Sequence, residues 1–300
     1  MNAKQFKYVL TLAHEGSFSK AADALNISQP SLSQYIKKIE KEIGLDLFDR
    51  TNGNVRITDA GRVYIEAGKK ILDIEHQMEN ALTDLQSHKA GSLIIGAAPY
   101  RAASMMPIAA LAFKSVYPGM HLVVREGTTA ELSEGMENGE YDLALTLLPV
   151  DDRIFAYEKV TEEELILAVP ASYPPFKAKK VKDRKYPAIE AEVLNNKDLV
   201  MLTDAQFMQK QLDSLILENR LSVRTAAVVK SLEAQIEFVK AGIGMALMPS
   251  GIERFCADSS VRFYSFVPAL PRREVVVMWR KDRKLSETAE ELKRIICGIR

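Results

Sequence analysis

Residues 16–50, GSFSKAADALNISQPSLSQYIKKIEKEIGLDLFDR, read as two short helices joined by a tight turn. The second helix can be argued residue by residue. Ser28 is placed to cap it, and Pro30 falls in the first turn, where a missing N–H costs nothing. Leu32, Ile36, Ile39 and Ile43 recur at helical spacing and define one buried stripe. At about 100° of rotation per residue, Pro30, Ser33, Gln34 and Lys37 lie on the opposite side. Gly44 stands where a helix ends in a residue that tolerates positive φ. Upstream, Ala21, Ala22 and Leu25 give a small-sided helix on which the second can pack closely, with residues 26–28 as the turn. Such a pair is the layout that seats one helix in the major groove of DNA.

The following segment separates this reading from an ordinary amphipathic helix pair. Leu47 and Phe48 can close a small core, and residues 50–56, RTNGNVR, read as a two-stranded wing. Arg50 and Arg56 flank its turn, within reach of phosphates beside the groove. The run Phe18-Ser19-Lys20-Ala21-Ala22, Leu25, Ser28-Gln29-Pro30-Ser31-Leu32-Ser33, Ile36, Ile39-Glu40, Gly44, Leu47-Phe48, Arg50, Thr58, Ala60-Gly61 resembles the winged-helix domain of LysR-type transcriptional regulators. The resemblance implies a bacterial DNA-binding regulator controlled by a small-molecule effector, assembled as a homodimer or homotetramer. Its candidate DNA contacts are Ser28, Gln29, Pro30, Ser31, Ser33, Gln34, Lys37, Arg50 and Arg56. Two positions depart from the family pattern. Gln34 stands where arginine is common, and the wing tip, often basic, is Asn52-Gly53-Asn54. Glutamine pairs bidentately with adenine, whereas arginine favours guanine.

Charge adds a constraint. Residues 1–58 carry eight bases and six acids, a net of +2, and the whole chain balances 40 bases against 40 acids. Binding strength rises with the number of phosphates neutralised, so one such head binds DNA weakly. Two or four heads held together escape that limit through effective concentration. Residues 58–88 supply the means. They contain no proline, and Tyr64, Ile71, Met78 and Leu85 recur every seven residues, with Ala67, Ile74 and Ala81 between. The helix so predicted is roughly 45 Å long. The alternatives are a helix lying along its own domain and, as the resemblance implies, a dimerisation helix using Tyr64, Ala67, Ile71, Ile74, Met78 and Leu85.

From residue 91 strands and helices alternate. Strands are predicted at 92–97, 121–126, 142–147, 165–169, 199–202, 224–229, 245–248 and 274–279, with helices at 105–116, 130–138, 212–217, 231–241 and 286–296. The alternation predicts a mostly parallel sheet with helices on both faces. It also resembles the two-lobed, periplasmic-binding-protein-like effector domain of the LysR family, with crossings between lobes near 161–163 and 266–268. The expected organisation is therefore α/β multidomain: a winged helix-turn-helix over 1–58, a linker helix over 59–90 and an effector domain over 91–300. Within the last, lobe I takes 91–161 and 268–300, and lobe II takes 162–267. A basic stretch around Lys177–Lys185 has no assigned role beyond a solvated surface.

In open α/β sheets small ligands sit beyond the carboxyl ends of the strands. That rule selects Pro99, Tyr100, Arg101 and Ser104 after the first strand and Thr128 and Thr129 after the second. It adds Thr146 at the end of the third, and Thr203 and Gln206 in the facing lobe. The same places match effector-contact positions of the LysR family. Arg101 beside free backbone amides suits a small anionic metabolite. Helix capping is the competing role for the hydroxyl residues.

Other chemistries lack support. There is no Walker loop, HExxH or GxSxG, and Gly242-Ile243-Gly244 lacks the third glycine of a dinucleotide fingerprint. His14, His76, His88 and His121 are scattered, and Cys256 and Cys297 form no metal-binding spacing, so no metal and no cofactor are expected. No apolar run could span a bilayer and no signal peptide is evident, which predicts a cytoplasmic protein without membrane contact. The expected partners are promoter DNA, further copies of the chain, the effector and RNA polymerase. An enzyme with an appended DNA-binding head and a plain cytoplasmic solute-binding protein are the rivals; the first 90 residues argue against the second.

Overall fold

The computed structural model describes residues 3–49, 55–85, 91–182, 184–203, 207–256 and 259–299. Helices α1 (Ala3–Glu15), α2 (Phe18–Ala24) and α3 (Gln29–Ile43) build the head, followed by β1 (Phe48–Asp49) and β2 (Arg56–Ile57). The two strands pair antiparallel, with Phe48 opposite Ile57. The Ser28 hydroxyl accepts from the Ser31 amide at 3.3 Å and so caps α3, while Gly44 closes it at φ +80°. Leu32, Ile36 and Ile39 are fully buried against Phe6, Val9, Leu12, Ala21 and Ala22. One buried residue of α3 is charged. The Glu40 carboxylate accepts from the amides of Leu47 at 3.0 Å and Phe48 at 3.2 Å, tying the last turn of α3 to β1.

Helix α4 (Asp59–Leu85) begins as part of the head. Thr58 caps it, accepting from the Gly61 amide at 3.0 Å. Tyr64 is buried with its ring 5.0 Å from that of Phe6, and Gly68 lies so close to the same ring that a side chain there would collide with it. Tyr64, expected on a pairing seam, therefore fills the head core, because the first turns of α4 act as a fourth helix of that domain. Farther along, Ala67, Ile71, Ile74 and Met78 are exposed on one side, and Leu82 continues them. The side chains of Ala81 and Leu85 lie outside the described residues.

Lobe I follows with β3 (Gly91–Ala97), α5 (Pro99–Ser104), α6 (Met106–Val116), β4 (Met120–Glu126), α7 (Thr129–Glu137), β5 (Leu143–Leu147) and β6 (Phe155–Glu163). Lobe II comprises β7 (Leu165–Pro170), β8 (Ala188–Ile189), β9 (Asp198–Leu202), α8 (Phe207–Glu218), β10 (Arg224–Val229), α9 (Leu232–Lys240), β11 (Ala246–Pro249) and β12 (Val261–Phe266). The chain then returns through β13 (Arg273–Arg280) and α10 (Glu287–Cys297). The lobe I sheet has the order β4-β3-β5-β13-β6, and lobe II holds β11-β7-β12-β8 with β9 and β10 paired beside it.

These sheets are mixed, not mostly parallel. In lobe I, β3 runs parallel to β4 and β5, but β13 is antiparallel to both β5 and β6. The cause is topological: β6 carries the chain out of lobe I and β13 brings it back, so neighbours on those two paths must oppose each other. Sequence patterning also omits β6, β12 and the short α5. Each lobe has its own apolar core, around Ile95, Phe113, Leu145 and Val277 in the first and Leu167, Leu199, Leu247 and Phe266 in the second.

Replacing Glu40 with alanine leaves two buried amides without an acceptor, a loss of about 1–3 kcal/mol to the head. Hydrogen exchange at Leu47 and Phe48 should accelerate in the Glu40→Ala protein while peptides from the lobes keep their wild-type protection. Unchanged protection at both amides would contradict the role given to this carboxylate.

Candidate functional site

Two surfaces carry chemistry. The first is the outer face of α3. Because Leu32, Ile36 and Ile39 turn inward, Ser28, Gln29, Pro30, Ser31, Gln34 and Lys37 are exposed and Ser33 is half-buried. Lys38 and Lys41 extend the basic flank. Arg56 on β2 is exposed, and Arg50 lies outside the described residues. The Ser28 hydroxyl is engaged in capping and lies 2.7 Å from that of Ser31, so both serines also serve the helix start. The face presents amides, hydroxyls and ammonium groups, the types that read base edges and meet phosphates.

The second surface lies where the lobes meet. Sheet register brings the carboxyl ends of β4, β3 and β5 level, with Ala97 opposite both Glu126 and Leu145. That edge gathers Pro99-Tyr100-Arg101, Thr128-Thr129 and Thr146. Their environments differ. Pro99, Thr128 and Thr129 are exposed, Ser104 is half-buried, and Tyr100, Arg101 and Thr146 are buried. Thr128 completes a capping box with Glu131 at the start of α7, accepting at 3.3 Å and donating its amide at 2.6 Å. Those hydrogen bonds hold the Glu131 carboxyl below the usual carboxylate range. Thr203 is half-buried in lobe II, and Gln206 lies outside the described residues.

Arg101 has a resident carboxylate. Its guanidinium donates to Glu163, at the end of β6, at 2.9 Å. Arg273, at the start of β13, donates to the same oxygen at 2.7 Å. The three side chains are 4%, 10% and 6% exposed, so two buried cations share one buried anion and the cluster carries one positive charge in excess. Burial pulls the Arg273 guanidinium below its ordinary value, with Glu163 opposing that shift. The Nε atoms of both arginines, and the Thr146 hydroxyl, are buried with no hydrogen-bond partner among the described residues. Phe207, at the start of α8, lies 5.7 Å from the Arg273 guanidinium and reaches the cluster from lobe II.

Tyr100 crosses between lobes. It leaves α5 of lobe I and packs among Ile166, Ala168, Ile236 and Met248 of lobe II. Burial pushes its hydroxyl up, and Gly251 is glycine because any side chain there would strike that hydroxyl. The basic stretch also touches the crossing. Lys177, Lys179, Lys180 and Lys182 are exposed, but Arg184 turns in to donate to the Phe266 carbonyl and lies 3.7 Å from Glu164. Lys185 and the Tyr186 hydroxyl both bind Glu253, the latter at 2.6 Å. Sequence reading missed Glu163, Arg273, Phe207 and Arg184. The available signal was charge out of place: the runs Glu162-Glu163-Glu164 and Arg272-Arg273 stand where strands begin and end.

Among the described residues no helix is long and apolar enough to cross a membrane, and no cluster of histidine, cysteine and acidic residues could hold a metal.

Comparison with known proteins bears on both surfaces. Residues 3–62 match the bacterial regulatory helix-turn-helix protein, lysR family, and residues 86–296 match the LysR substrate binding domain. The chain is 29% identical over 303 residues to the HTH-type transcriptional regulator YcgK of Bacillus subtilis (strain 168), covering 97% of this chain and 92% of the relative. Its fold is similar to that of full-length OxyR from Pseudomonas aeruginosa, a cysteine-to-aspartate variant. The TM-score is 0.68 at 25% identity, over 100% of this chain and 99% of that one. It is similar also to full-length CbnR complexed with its target DNA, with a TM-score of 0.62 at 19% identity over 98% and 100% of the two chains. The two matched ranges cover the winged head and the two-lobed region in chain order. The chain belongs to the LysR family of transcriptional regulators, with a DNA-binding head and an effector-binding domain.

Proposed function

We propose that this regulator binds promoter DNA as a homo-oligomer and answers to a small anionic metabolite held between its lobes. The observation that supports this most is the buried Arg101–Glu163–Arg273 cluster, with its excess positive charge at the carboxyl edge of the lobe I sheet. An anion there meets two guanidinium groups already desolvated, where charge-assisted hydrogen bonds are strongest. Residues 1–58 supply the DNA contacts and residues 59–90 pair with a second copy. Residues 91–300 sense the effector, with Pro99, Ser104, Thr128, Thr129, Thr146 and Thr203 around the cluster. The setting is the cytoplasm, with RNA polymerase the machinery that altered promoter geometry admits or excludes. No residue is assigned a catalytic role.

Base reading and phosphate binding fall to different residues. Gln34→Ala should relax preference at one base pair by about 1–3 kcal/mol. Lys37→Ala should weaken binding to all sequences and reduce the salt slope by about 0.9. Footprints and affinities measured between low and high salt separate the two; identical slopes and base preferences would reject the division. Pairing has its own test. Ile71→Lys with Ile74→Lys should lower the mass in solution by sedimentation, since charges replace a seam that a monomer leaves 43% and 64% exposed at those residues.

The sensing device we propose is the arginine cluster and not a thiol. Cys256 and Cys297 pack against the cores of different lobes. Burial, reinforced by Glu158, pushes the Cys297 thiol up to about 11. It stays protonated at neutral pH, and any stability gained from that shift is present below the ordinary thiol value and lost as pH rises through about 11. Alkylation by iodoacetamide at pH 8, followed by mass spectrometry, should modify Cys297 more slowly in the native protein than after unfolding. Equal rates would remove the argument.

A further inference from the structure

The lobe cluster and the linker helix are joined by one strand. β13 is flanked on both sides, pairing with β6 from Arg273 to Arg280 and with β5 over Val275 to Met278, and Val275 to Met278 are fully buried. A strand so enclosed cannot bend independently of its sheet, and its eight residues span roughly 25 Å. Each end carries an arginine bound to a buried carboxylate. At one end Arg273 shares Glu163 with Arg101. At the other, Arg280 lies 3.3 Å from Asp73 of α4 and donates to the Glu137 carbonyl at 2.9 Å, while Arg283, three residues on, also pairs with Asp73.

Asp73 is 7% exposed, although it belongs to a helix whose other side is open. Lys69, one turn earlier, faces lobe I too, 3.7 Å from Glu134. Gly139 abuts the Asp73 carboxylate so closely that no side chain fits, and its φ of +74° lies in the left-handed region that favours glycine. The contact is thus built from two separate segments of lobe I, residues 134–139 and 280–283. α4 in turn is fixed to the head through Tyr64 and Gly68 against Phe6.

We propose that β13 is a rigid rod linking the interlobe cluster to α4, with Asp73 as the clasp that carries lobe movement to the DNA-binding head. This rests on the reading of the cluster as the effector site. An anion that competes with Glu163 for Arg101 and Arg273 changes what holds the first residue of β13. The effector can bias the assembly only through such a difference in contacts between two arrangements. Breaking one partner from a buried ion pair is costly, so the strand end and Asp73 move together and do not separate.

The test needs no effector. Full-length wild type, Glu163→Gln, Asp73→Asn and the double variant are measured on a duplex enriched by the wild type from a randomised library, reading affinity and DNA bend angle. Glu163→Gln disturbs the cluster and should change operator affinity by about fivefold or more, or shift the bend. In the Asp73→Asn background the same change should fall below about twofold, a non-additivity expected of coupled sites. Equal effects of Glu163→Gln in both backgrounds overturn the clasp and leave the cluster as effector site standing. No effect in either background overturns both. Circular dichroism and sedimentation confirm folding; if a variant misfolds, Arg273→Lys replaces Glu163→Gln and Arg280→Gln replaces Asp73→Asn in the same cycle.

Discussion

Helix α4 must satisfy three neighbours with one cylinder of side chains, and the rest of the molecule depends on how it divides them. Tyr64, Gly68 and Leu72 face the head. Ala67, Ile71, Ile74 and Met78 form an exposed apolar row, and Lys69 and Asp73 bind lobe I. At about 100° per residue the apolar row and the ionic pair are separated by roughly 150° around the axis. One helix can therefore be pinned to its own lobe and still offer a seam to a second copy. A head with a net charge of only +2 has little hold on DNA alone. In the proposed pairing the seam supplies the multiplicity that the electrostatics lack, while the ionic side connects the helix to lobe I.

The interlobe cluster is a poor device for stability and a good one for specificity. Taking Arg101, Glu163 and Arg273 out of water costs several kcal/mol per ion, and an apolar core would hold the lobes together at least as well. What charges add is discrimination between arrangements, since each buried guanidinium needs an acceptor wherever it moves. Tyr100 and Arg184 set the mechanical limits around that choice. Tyr100 plants one lobe in the other, and Arg184 fastens the basic segment to the Phe266 carbonyl at the return crossing.

How much of this was legible in the sequence depended on the range of the interaction. The recognition helix could be read from periodicity because Ser28, Leu32, Ile36 and Gly44 act within one helix. Most strands were legible for the same reason, as short apolar runs bounded by turns. β6 was not: its residues FAYEKVTEE are buried mainly at the two ends, so neither alternation nor a continuous apolar run marks it. Arg101 was found by a rule about strand ends, but its partner was not, because Glu163 is 62 residues away and Arg273 lies 110 residues beyond Glu163. Asp73 and Arg280 are 207 apart. Tyr64 fitted the heptad pattern equally well as core or seam; only packing against Phe6 decides between them.

The division of α4 into faces is tested most directly by cysteine cross-linking along it. Single cysteines at positions 69, 71, 73, 74 and 78 are introduced into a Cys256→Ser, Cys297→Ser protein, and disulfide-linked pairs of chains are quantified after mild oxidation. The account predicts strong cross-linking at 71, 74 and 78 and little at 69 and 73. A flat profile, or a maximum at 69 and 73, would contradict it.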